Sequence, residues 1–188
     1  MKQRIKRYSI QFVKEIIPVV VGILIALFID NWNSQRKDRA YIKQVYTTIS
    51  TELSESKEDI KAMMPKQKAL IASLEENAKN TEASIQKIVM DSNGIYIPQV
   101  KINGWKAVSS TKIDLMDYNR VNTLSNIAEL KEMINNKSEF LMTYLYSNIN
   151  SKDENTKQTF KMILLDIMQT ENTMLQLIEY FEKESKAS

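Results

Sequence analysis

Fourteen consecutive residues, Ile16 to Ile29, carry no charge, and no other stretch of the 188-residue chain is comparable. A helix of that length covers roughly 21 Å, short of a hydrocarbon core of about 30 Å. The flanks extend it. Tyr8 and Phe12 precede the run and Trp32 follows it, and such aromatic residues favour the two membrane interfaces. Tyr8 to Trp32 is 25 residues, roughly 36 Å as a helix, which suits a span from interface to interface. Leu and β-branched residues cover every face, unlike the single stripe of a soluble surface helix. A cleaved signal peptide would need a small-x-small site, and Phe28-Ile29-Asp30-Asn31-Trp32 supplies none. The stretch predicts a membrane anchor over residues 15–32.

Within it, Pro18 removes one amide and frees the carbonyl of Lys14, which predicts a mild kink near an interface. Gly22 and Ala26 are four apart, share a helical face and allow another backbone to approach closely. Glu15 sits at the edge of the apolar run beside Lys14, and an interfacial ion pair is the expected arrangement. Asp30 and Asn31 close the other end beside Trp32.

The net charge of +3 is concentrated in residues 1–30, and the rest of the chain is balanced. Lys2, Arg4, Lys6, Arg7 and Lys14 make a basic flank, over residues 1–14, suited to anionic lipid headgroups. The neutral remainder carries no electrostatic footprint for nucleic acid. Arg36, Lys37, Arg39 and Lys43 on the far side leave only a slight bias in basic residues. That bias predicts the N-terminus in the cytoplasm and the large C-terminal domain on the far side of the membrane.

Histidine and cysteine are absent, and there are three glycines. These absences exclude Ser-His-Asp and Cys-His hydrolases, zincins, Rossmann dehydrogenases and Walker-type NTPases. No catalytic residue, metal ligand or cofactor is expected, and the chain is not read as an enzyme. Glu52, Glu55, Glu58 and Asp59 alternate with lysine at helical spacing and are expected to form a solvated face. Asp91-Ser92-Asn93-Gly94 opens like a calcium loop but has no completing glutamate in register. Ser109-x-x-Lys112 has the spacing of a serine–lysine acyl enzyme without the helix start that chemistry needs.

The chain beyond the anchor reads as helix. Val45, Ile49, Leu53 and Ile60 recur at helical spacing, and Pro65 marks an end or a new start. Leu70, Leu74, Ala78, Thr81, Ile85 and Ile88 form a heptad seam. Residues 33–90 therefore predict a long helix or a helical hairpin, stopped by Asp91-Ser92-Asn93-Gly94. Residues 91–117 predict an irregular connector, extended over Ile95–Ile102, with Trp105 as a core anchor or a ligand or partner contact. Residues 118–188 predict the remaining helices. One, from Tyr118 to about Asn136, is capped by Asp117; a second runs to about Asn150; the last is marked by Phe160, Ile167, Met174 and Phe181. The expected fold is all-α: one N-terminal transmembrane helix, then an antiparallel helical bundle with a short irregular or extended insertion.

Glu15-Ile16-Ile17-x-Val19-Val20-x-Gly22-Ile23-Leu24-Ile25-Ala26-Leu27-x-Ile29-x-Asn31-Trp32-Asn33, followed by Arg36-Lys37, resembles a family of small membrane proteins widespread in Bacteroidota and known as a domain of unknown function. Pro18 and Phe28 stand where that family carries aliphatic and polar residues. The resemblance implies a single-pass inner-membrane protein and carries no activity with it. Three roles suit such a chain: a structural or accessory subunit that self-associates or docks on an envelope complex, a helical extracytoplasmic sensor with Trp105 at its pocket, and an oligomeric pore with Glu15 and Asp30 at its ends. The lipid bilayer and a homo-oligomer or larger membrane complex are the expected partners.

Overall fold

A computed structural model describes the backbone of residues 2–187 and the side chains of residues 14–184. The protein is all-α, with helices α1 (Lys2–Glu76), α2 (Ile85–Asp91), α3 (Asn103–Ser109), α4 (Tyr118–Asn148) and α5 (Glu154–Ala187) and a 3-10 turn at Ile113–Leu115. No strand occurs among the described residues. The chain divides into two compact units, residues 1–44 and residues 45–188. The second is the bundle.

Its topology follows from a few pairings. Lys57 meets Glu182, Gln67 meets Glu171 and Glu75 meets Lys161. Numbers rise on α1 as they fall on α5, so the two helices are antiparallel. α4 and α5 form an antiparallel hairpin, with Lys137 Nζ 2.8 Å from Asp166 and the Tyr144 hydroxyl donating to the Thr156 carbonyl at 3.3 Å. The bundle part of α1 and α4 are therefore parallel. The Asp117 amide donates to the Tyr46 hydroxyl at one end, where Arg120 also stacks on the Tyr46 ring, while Gln86 donates to the Ile149 carbonyl at the other. Parallel neighbours cannot be joined by a tight turn, so residues 77–117 travel back along the bundle. The apolar seams meet inside it: Ile49, Leu53 and Leu70 from α1, Ile127 and Leu141 from α4, and Phe160 and Ile178 from α5 are all buried.

The expected break at Pro65 does not occur, because α1 continues to Glu76. Pro65 and Lys61, whose carbonyl loses its partner, are both exposed, so the proline ring and the freed carbonyl do not disturb the packed face. The expected division near Asn136 is likewise absent, and α4 is one helix. α1 ends where asparagines compete for the backbone. Asn77 Nδ2 donates to the Ser73 carbonyl, and Asn80 Oδ1 accepts from the Glu82 amide. Thr81, expected in the seam, is exposed in this turn. Ser84 then caps α2, accepting from the Lys87 amide.

The Asp91–Gly94 stop forms as expected. Gly94 N donates to Val89 O and Asn93 N to Met90 O, with both residues at positive φ, which is a Schellman ending. Asp117 caps α4 through the amides of Asn119 and Arg120. Asp153 precedes α5 and accepts from both the amide and the hydroxyl of Thr156 at 2.8 Å. Those bonds hold its carboxyl below the usual 3.8.

The extended stretch Ile95–Ile102 has no strand partner, so its backbone polar groups need other company. One ridge of α1 supplies it. Gln67 Nε2 donates to the Tyr96 carbonyl (2.9 Å), Asp59 accepts from the Gln99 amide (2.6 Å), Ser56 from the Lys101 amide (2.8 Å) and Glu52 from the Gly104 amide (2.9 Å). The connector thus runs antiparallel to α1, stitched by side chains in place of a neighbouring strand. Glu52 and Asp59 belong to this ladder, which corrects the expectation that the whole acidic run is a solvated face.

Candidate functional site

α1 contains an 18-residue window of mean hydropathy 1.9 and is long and apolar enough to cross a membrane. None of that window is buried. Exposure of the large apolar side chains runs from 40% at Ile16 to 72% at Phe28. They point outward on every side because the apolar residues here follow no helical period. Pro18 lies within the helix and does not interrupt it. A Cβ added at Gly22 would meet nothing within 4 Å, and Ala26 is exposed on the same face.

Glu15 and Lys14 are both exposed, and no ion pair joins them among the described residues. Adjacent helical residues diverge, so the expected pair does not form. Asp30, Asn31 and Trp32 are exposed at the other end of the segment. The side chains of Lys2, Arg4, Lys6 and Arg7 lie outside the described residues, as do Tyr8 and Phe12.

In the bundle, Trp105 is 7% exposed and packs in the core at the start of α3. The indole acts as an anchor for the connector. Beside the connector, an open groove of about 800 Å³ is lined by Glu55, Glu58, Asp59, Met63, Ile97 and Lys101. Glu55 and Lys101 pair across it at 2.7 Å, and that bond raises the Lys101 ammonium above its usual 10.5.

Three buried polar side chains escape a reading of the sequence by motif. Lys157 is fully buried, and its ammonium donates to the carbonyls of Asn77 (2.9 Å) and Asn80 (2.7 Å). It closes the end of α1, where carbonyls point outward and favour a cation; burial lowers its pKa from 10.5. Gln67 and Glu171 are 1% and 0% exposed and bond to each other at 2.8 Å. Both stand in register with the apolar period, Gln67 between Ile60 and Leu70 and Glu171 between Ile167 and Met174. A polar residue on a seam position is the one signal that could have marked them.

Two kinds of surface emerge. The bundle buries most of its apolar residues and bridges its surface with ion pairs, whereas the α1 segment offers an apolar cylinder to whatever surrounds it. No protein-family model, curated protein or solved structure matches the chain.

Proposed function

We propose that the protein is a single-pass, membrane-anchored structural or accessory subunit. Residues 15–32 lie in the bilayer of a bacterial inner membrane, and the chain self-associates or docks on an envelope complex there. The observation that carries this reading is the outward-facing apolar segment of α1. Each side chain of this size left in water forgoes about 1.5–3 kcal/mol. Summed over the segment, that exceeds the ordinary stability of a domain, about 5–15 kcal/mol, so lipid or protein must cover it. The likeness of residues 15–37 to the Bacteroidota membrane family supports the same placement. The bias of basic residues toward the N-terminal flank supports a cytoplasmic N-terminus and a periplasmic bundle. The open Gly22/Ala26 face supports packing against another helix rather than lipid alone.

The test has two stages. The full chain should stay with the membrane fraction through alkaline carbonate extraction. The detergent-solubilised protein should then elute as an oligomer or with a defined partner, and Gly22→Leu should shift it toward the monomer. Release by carbonate would end the membrane reading. A strictly monomeric protein that co-purifies with nothing would end the assembly reading.

A further inference from the structure

We infer that Glu171 and Gln67 form a proton-operated latch at the centre of the bundle, in which loss of the Glu171 proton loosens α1, α5 and the connector at one point. The geometry sets the terms. Gln67 uses one amide hydrogen on the Tyr96 carbonyl (2.9 Å) and the other on Glu171 Oε1 (2.8 Å). Gln67 Oε1 and Glu171 Oε2 are both buried acceptors without a donor. A proton on Glu171 removes the buried charge and gives its Oε2 a hydrogen to donate, so the neutral acid is the form this pocket suits. An ionised carboxylate would be left with one hydrogen bond and no counter-ion, and it must recruit water by parting the α1–α5 seam. Gln67 bonds both the acid and the connector, so the two move together.

The lysines beside the pair in the chain or across from it have partners of their own. On α4, Lys137 bonds Asp166 and Thr170. On α1, the Lys66 ammonium sits over the Tyr96 ring at 4.7 Å, and Lys61 pairs with Glu179 of α5. No ion pair involves Glu171 among the described residues. Burial therefore dominates, against a smaller opposing effect of the Gln67 bond, and raises the carboxyl from 4.5 to about 7. The folded state holds the proton more tightly than the unfolded chain. Stability is therefore full below pH 4.5 and falls as pH rises through about 7.

Hydrogen exchange on the full chain in detergent tests the latch, with rates corrected for intrinsic base catalysis. Between about pH 5.5 and about pH 8.5, protection around residues 95–101 and 167–174 should fall roughly thirty-fold. Glu171→Gln should keep that protection flat over the same interval. Protection that does not change with pH, or a Glu171→Gln profile that matches the wild type, overturns the latch. Should the variant not fold, infrared spectroscopy of the wild type decides. A protonated carboxylic-acid band must be present at the lower pH and vanish near neutrality, and its absence at the lower pH also overturns the proposal.

Discussion

Residues 16–29 and the bundle helices both carry many Ile, Leu and Val, yet one region turns them all outward and the other turns most of them in. What separates them is the polar residues between: the bundle helices have them at a regular period, and the anchor segment has none. In the bundle, apolar residues return every three or four positions, so each helix has a dry stripe and a wet face. In the anchor segment no polar residue interrupts the run, so there is no wet face to orient the helix. The first pattern specifies its own partners within the chain. The second requires an environment.

The contrast can be broken by substitution. The largest expected effect is Phe160→Ala. Phe160 is fully buried in the core cluster, and the change should destabilise the bundle by about 3–5 kcal/mol in chemical denaturation. Leu24→Ala, which removes an apolar side chain of comparable kind from the exposed segment, should leave the same transition unmoved. Lys157→Met comes next. It strands the carbonyls of Asn77 and Asn80, and a loss of about 2 kcal/mol is expected by the same measurement. Gly104→Ala should lose about 1–2 kcal/mol, because the new Cβ would lie 2.9 Å from Ile49 Cγ1. Gly22→Ala, with open space around it, should not disturb the bundle at all. The smallest of the expected losses is that of Asp117→Ala, about 1 kcal/mol of thermal stability through the α4 cap.

Much of the fold was legible because its signals are local. Asp117, the Asp91–Gly94 stop and the seams at Ile49, Leu53, Leu70 and Phe160 each act within a turn or two of chain. The readings at Pro65 and Asn136 failed because tertiary packing holds a long helix across a weak local break. The Glu52, Ser56, Asp59 and Gln67 ladder was not legible for a different reason. Its partners lie 29 to 52 residues away on a segment without regular structure. In the sequence a carboxylate that accepts a distant amide looks the same as one that faces water. Lys157 and Glu171 hid in the same way, as charges placed on seam positions whose neighbours only the fold brings near.

The pairing of α1 with α5 also sets a timetable. Lys57 waits for Glu182, 125 residues further along the chain. At ordinary rates of synthesis that interval lasts on the order of ten seconds. The α4–α5 hairpin, whose contacts are near in sequence, can close almost as soon as it emerges, while the face of α1 that meets α5 waits uncovered. A nascent chain of this kind has its most vulnerable surface made first and covered last, which makes α1 the segment a chaperone would meet.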